Sequence, residues 1–236
     1  MVKEFGGQPL NLIKPFTSRL PSTAFNQYVS GHKDTIKSFL IVRHPFHRLV
    51  SAFRDKIERQ HGPRLDKDWY YKTYGRKIVA KYRPAATKRF GAAYFSADNG
   101  YGAPAEVHGQ RSERLPIFWE FVQFVRAQRV AGMDEHWRPA FSFCSACTVA
   151  YDNVVRFESM REEGDMLKRL LEPGRQFEER VVNPNIPDGL SNEELTAKYF
   201  EQLTDEDVNH LYKIYEYDFR LFGYTYEHNG KRYPLN

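Results

Sequence analysis

Two groups of residues in this chain have types and spacing that can do chemistry. The first is Arg43 with Ser51, eight positions apart in SFLIVRHPFHRLVSAFRDK, residues 38–56. A guanidinium fork and a hydroxyl so placed can converge on one phosphate, the arginine through charge-assisted bonds. The second is Asp134-Glu135-His136-Trp137, just before Arg138-Pro139. A histidine beside two carboxylates has the parts of a general base, because a neighbouring anion stabilises the imidazolium and can fix the tautomer. The same residues also read as a hydrogen-bonded histidine wedged by Trp137, and both readings stay open here. Cys144 and Cys147 are the only cysteines. A zinc ribbon would need two further ligands at short spacing, and none of the eight histidines forms a convincing pair with them.

These groups need elements to position them. Phe39, Leu40, Ile41 and Val42 form a continuous apolar run, which predicts a strand buried on both faces of a parallel sheet. Pro45 disfavours helix at His44 and presets the first helical turn, so the switch from strand to helix falls between Arg43 and Pro45. Arg43 then sits at the carboxyl end of the strand, where open α/β sheets bind ligands, and the next helix offers its unpaired amino-terminal end. Leu49, Val50, Phe53 and Ile57 give that helix a packing stripe, leaving Arg48, Arg54 and Lys56 nearer solvent and Ser51 early in the helix. Asn153–Glu158, NVVRFE, reads as a second buried strand that exits on Arg156, Phe157 and Glu158.

Further helices are expected over 21–30, 69–83 and 159–171, and from Leu115-Pro116 for roughly 14 residues, with Phe118, Phe121, Val122 and Val125 on one face. Ser191-Asn192-Glu193-Glu194 starts another. Thr204-Asp205-Glu206-Asp207 has the form of a capping box for the last one, whose apolar face is Val208, Leu211, Tyr212, Tyr215 and Phe219. Residues 92–114 and 175–190 read as loops, and residues 1–37 as an irregular segment of loop or short helix.

Composition bounds the answer. The chain has 236 residues, 41% of them hydrophobic and 15% aromatic, enough for a full core and against intrinsic disorder. Its net charge of +5 is compatible with an anionic nucleotide, a sulfated glycan or nucleic acid, or with a solvated surface. From Arg59 to Gly91, cations interleave with Trp69, Tyr70, Tyr71, Tyr74 and Tyr82. Such a stretch can bind single-stranded nucleic acid, line a groove for an acidic sugar chain, or be a helix with its aromatics in the core. The nucleic-acid reading ranks lower because no DNA or RNA module accompanies the charge. No segment approaches the ~20 apolar residues of a membrane span, and no signal-peptide core follows Met1.

The motif VRHPFHRLVSAFRDK resembles the 3′-phosphate-binding motif of Golgi carbohydrate sulfotransferases, the branch acting on chondroitin, dermatan, terminal GalNAc and the HNK-1 epitope. The likeness continues in WYYKTYGRKIVAKYR, in DEHWRPAFSFCSACTVAYDNVVRFESMREE and in YEYDFRLFGY. His44 departs from it, since many relatives carry an acidic residue or asparagine there. The resemblance implies a three-layer P-loop-type α/β fold, a small parallel sheet flanked by helices, occupying 38–236. It implies transfer of a sulfuryl group from PAPS, without a metal, to a hydroxyl of a glycosaminoglycan or glycoprotein glycan in the Golgi lumen. It also implies that Arg43 and Ser51 bind the 3′-phosphate; His136 remains the candidate base on the strength of its neighbouring carboxylates alone. In the oxidising Golgi lumen, Cys144 and Cys147 would be a disulfide, with free thiols the alternative. Relatives carry, upstream of the arginine motif, a first strand and a lysine loop around the 5′-phosphosulfate. Residues 1–37 hold neither that loop nor a membrane anchor. The expectation is a domain lacking its first strand, which binds nucleotide and turns over weakly, or an inactive nucleotide- or glycan-binding remnant.

Overall fold

The structure, a computed structural model, describes residues 4–5, 8–9, 22–32, 34, 37–58, 69–96, 115–144, 146–160 and 190–234. The chain divides into two units, Met1–His44 with Ala140–Val181, and Pro45–Pro139 with Val182–Asn236.

In the first unit the strand Phe39–Val42 pairs in parallel with Asn153–Arg156, Phe39 opposite Asn153 and Val42 opposite Arg156. The pairing is tied at its start. Asp152 Oδ2 accepts both the backbone N–H and the hydroxyl of Ser38, each at 2.8 Å. The helix Ser22–Gly31, close to the expected 21–30, is joined to the segment before the second strand by Asn26, whose Nδ2 donates to the Thr148 carbonyl at 2.6 Å. A two-residue antiparallel pair, Glu4–Phe5 with Gln8–Pro9, lies further upstream.

The parallel pair is as expected, but its burial is not. Phe39, Ile41 and Val154 are 39%, 46% and 49% exposed, while Val42 and Val155 are 3% and 0%. Successive side chains point to opposite faces of a strand, and among the described residues only one face of this pair is covered. Both strands are therefore half-buried, not buried on both faces. Cys144 and Cys147 are free thiols, which overturns the disulfide. Cys144 is held in a turn, its N–H donating to the Ala140 carbonyl at 2.8 Å and its own carbonyl accepting from the Tyr151 hydroxyl at 2.7 Å. A bridge across only two intervening residues is geometrically tight.

The second unit is helical and closes on an aromatic core. Pro45–Ala52 is an α-helix that runs on as a π-helical stretch, Phe53–Glu58. Its stripe of Leu49, Val50, Phe53 and Ile57 is fully buried, as the spacing predicts. Phe46 lies 4.9 Å from the rings of both Phe200 and Phe219 and 5.0 Å from that of Tyr226. Each such pair adds about 0.5 to 1.5 kcal/mol beyond its buried area. Arg54 is not near solvent: it is 2% exposed and pairs with Glu58 at 3.6 Å. Glu58 in turn accepts from the Tyr199 hydroxyl. A buried charge needs a partner and further hydrogen bonds, and here the partners come from one turn along and from a helix near the far end of the chain.

The helix predicted over 69–83 extends to Phe90 and contains a π-turn at Tyr71–Gly75. Pro84 removes one hydrogen bond without ending it, and Gly91 closes it at φ 84°. Gly75 is required at the π-turn, because a Cβ there would stand 2.6 Å from Cδ2 of Tyr71. The helix expected from Leu115-Pro116 starts later and is shorter, Phe118–Arg126, because Glu120 reaches back to the Ile117 N–H at 2.9 Å and fixes the start there. Its four predicted apolar residues are fully buried. Asn192–Phe200 and Asp205–Phe222 begin on the predicted capping residues Ser191 and Thr204. A hairpin, Tyr226–His228 with Lys231–Tyr233, follows, with Tyr233 fully buried. The helix expected over 159–171 and the loop over 175–190 lie almost wholly outside the described residues, as does most of 92–114.

Candidate functional site

In the second unit, Asp134 and His136 form one constellation. Asp134 Oδ1 lies 2.6 Å from His136 Nδ1 and accepts the His136 backbone N–H at 3.0 Å. A two-residue spacing lets the carboxylate take both donors of the same residue, so it fixes the ring's position and tautomer together. Asp134, not Glu135, is therefore the orienting acid. With Nδ1 facing a carboxylate the proton belongs there, and the Nε2 lone pair is the basic position. Among the described residues Nε2 has no protein hydrogen-bond partner, and the His136 side chain is 33% exposed against 11% for Asp134. The ring is thus anchored at Nδ1 and partly exposed.

The turn carrying this pair is held from several elements of the second unit. Arg48, expected nearer solvent, is half-buried: its guanidinium donates to the carbonyls of Glu135 and His136 at 3.3 Å each, and to that of Arg138. The Tyr215 hydroxyl donates to the Trp137 carbonyl, and the fully buried Trp137 indole donates to Gln128 Oε1 at 3.0 Å. The Tyr70 hydroxyl is 3.0 Å from His136 Nδ1, and the Tyr74 hydroxyl donates to Asp134 Oδ2 at 3.4 Å. Lys56 Nζ stands 5.2 Å from the centre of the Tyr70 ring. Tyr70 and Tyr74 were legible as aromatics within a basic run, but their role here was not. One helical turn apart, they read equally well as core.

Electrostatics assign the roles. Burial, then the negative charge of Asp134, pushes the Tyr70 hydroxyl well above the ordinary tyrosine range, and the same two causes raise Tyr74. Both hydroxyls stay protonated, and neither is the base. Burial works against the Asp134 carboxylate, but hydrogen bonds from the His136 ring and backbone and from Tyr74 outweigh it and hold its pKa below the usual value. A depressed folded pKa contributes stability that is fully present above the unfolded value, about 3.9, and is lost as pH falls through the folded one. Asp134→Asn should therefore lower stability by about 1 kcal/mol at pH 6. That difference from wild type should shrink as the pH falls below about 4, where the wild-type carboxylate also loses its charge, a trend readable in thermal melts across pH.

The first unit places Arg43 directly after its strand, with the guanidinium 5.0 Å from the centre of the Phe157 ring. The next backbone N–H, that of His44, donates to Glu158 Oε1 at 2.8 Å. One of the amino-terminal donors expected to be unpaired is thus taken by the protein's own carboxylate, and Pro45 has none to offer. Arg156, Phe157 and Glu158, where the second strand exits, supply this surround. The Phe157 ring backs one face of this guanidinium. Ser51, in the second unit, is half-buried and is the seventh residue of Pro45–Ala52, about 9 Å along the axis from its start, not in the first turn. Among the described residues no group of three or more His, Cys, Asp or Glu gathers as a metal site, and no helix is long and apolar enough to cross a membrane.

A family model described as "Sulfotransferase family" matches residues 9–225. The chain is 32% identical to carbohydrate sulfotransferase 8 of Mus musculus over 193 residues, 81% of this chain and 40% of that protein. It is 27% identical to carbohydrate sulfotransferase 11 of Rattus norvegicus over 207 residues, 85% of this chain and 51% of that protein. With carbohydrate sulfotransferase 10 of Xenopus laevis the identity is 30% over 188 residues, 79% of this chain and 46% of that protein. The chain thus spans about 40% to 51% of the length of these relatives. No solved structure matches it.

Proposed function

This chain belongs to the sulfotransferase family, and from that premise we propose that it transfers a sulfuryl group from PAPS to a hydroxyl of a glycan, of glycosaminoglycan or glycoprotein type, in the Golgi lumen. The observation that carries the reading is the Asp134–His136 pair, with Nδ1 held at 2.6 Å and no hydrogen-bond partner for Nε2 among the described residues. The acceptor hydroxyl gives its proton to Nε2 as its oxygen bonds to sulfur, and the bond from sulfur to the donor's 5′-phosphate oxygen breaks, releasing adenosine 3′,5′-bisphosphate. Asp134 stabilises the imidazolium that forms. The backbone clamp by Arg48 and Tyr215 keeps the ring in place without reorganisation at the moment of reaction, the condition under which electrostatic catalysis is effective. Arg43 and Ser51 have the role of gripping the 3′-phosphate. The same grip acts before and during transfer, so it supplies affinity and not rate.

The test is incubation with radiolabelled PAPS and desulfated glycosaminoglycan acceptors. Label should appear in the glycan in proportion to adenosine 3′,5′-bisphosphate released. Nucleotide binding with no transfer to any glycan would replace this reading with that of a binding remnant of the family.

A further inference from the structure

We propose that Trp69 is a stacking platform for a sugar ring of the acceptor chain, adjacent to the one presented to His136; this rests on the glycan-transfer reading above. The chain has three tryptophans. Trp137 is fully buried and Trp119 partly so, but Trp69 is 52% exposed. An indole left half in water still has its orientation set. Its ring meets Tyr70 at 5.0 Å and 88° and Tyr74 at 5.8 Å and 85°, two near-perpendicular contacts. Those same two tyrosines contact the catalytic pair, Tyr70 at His136 Nδ1 and Tyr74 at Asp134 Oδ2. Trp69 is thus one ring removed from His136, through Tyr70, whose ring centre lies 5.0 Å from that of Trp69 and 5.6 Å from that of His136.

The chemistry selects the occupant. A pyranose has an apolar C–H face that packs flat on an indole, and hydroxyls around its rim that water or polar side chains can meet, so an amphipathic aromatic suits it. Lys72, Arg76 and Lys77, further along the same helix, are exposed, which complements a sugar bearing a carboxylate or a sulfate. A neutral apolar partner would use the indole but gain nothing from these cations. An anionic glycan uses both.

A desulfated chondroitin hexasaccharide, which carries carboxylates, and a neutral oligosaccharide of equal length are the probes. The hexasaccharide should shield the wild-type indole emission from acrylamide quenching, and this protection should vanish in Trp69→Ala. Its affinity, read by saturation-transfer NMR, should fall at least about tenfold in Trp69→Ala and be largely rescued in Trp69→Tyr. Affinity for adenosine 3′,5′-bisphosphate should not change, which separates loss of a platform from loss of the fold. Unchanged hexasaccharide affinity in Trp69→Ala overturns the platform and leaves the glycan reading standing. Equal binding of the neutral oligosaccharide overturns the anionic part of the assignment. Failure of the wild-type protein to bind any glycan overturns both readings together.

Discussion

Replacing His136 with alanine should lower kcat for sulfuryl transfer by about 10²- to 10⁴-fold, the usual contribution of a positioned general base. The affinity for adenosine 3′,5′-bisphosphate should stay as it was. The side chain is a third exposed, and its ring meets that of Tyr70 edge-on at 5.6 Å. The cost of leaving Asp134 without its ring donor is separable with His136→Gln, whose amide can donate to the carboxylate but has no basic nitrogen. Near-normal turnover in either variant would return His136 to a purely structural role, that of a hydrogen-bonded residue locking its own turn.

Arg43→Ala should weaken binding of adenosine 3′,5′-bisphosphate by about 2 to 4 kcal/mol, some 30- to 1000-fold in Kd, the range for truncating one side of a close charge pair. Ser51→Ala removes one neutral donor and should cost about 1 kcal/mol. Arg43→Lys keeps the charge but not the planar fork, and so should recover only part of the loss. Titration calorimetry on each variant gives the ordering directly. Far-ultraviolet circular dichroism on the same samples checks that losing the contact between Arg43 and Phe157 has not disturbed the strand end. Wild-type affinity in a folded Arg43→Ala protein would remove this arginine from the nucleotide site.

What could be read from the sequence here follows from the range of the interaction involved. The starts of the last two long helices were legible because their caps are local: Ser191 bonds Glu194, and Thr204 bonds Asp207, each within three residues. The partner of His136 was legible as one of two adjacent carboxylates, Asp134 or Glu135, and the bond to Asp134 two residues away selects between them. Arg54 was misread as near solvent because its neutralising network is completed by Tyr199, 141 residues beyond Glu58. Arg48 was misread because the carbonyls it clamps lie 87 to 90 residues downstream. The apolar run Phe39–Val42 predicted a strand correctly and its burial incorrectly. Composition reports what a residue prefers, and the covering layer decides whether it gets it. Tyr70 and Tyr74 were visible as residues but not as hydroxyls aimed at a histidine, since nothing local distinguishes a core tyrosine from one whose tip is used.

The π-turn at Tyr71–Gly75 gives the site a dependence on counting. A wide turn holds about one residue more than an α-turn, so everything on its amino-terminal side is rotated by roughly 100° relative to an uninterrupted helix. Trp69 and Tyr70 lie before the insertion, and Ile78 and Ala86, which anchor the helix in the core, lie after it. The azimuth of the aromatic wall beside His136 is thus set by an integer. Loss of a single residue between Tyr71 and Gly75 would leave a more regular helix with the same anchors, and would swing Trp69 and Tyr70 off the site. In this segment, length is held more tightly than most of the side chains are. The exception is Gly75, whose missing Cβ makes room for the Tyr71 ring.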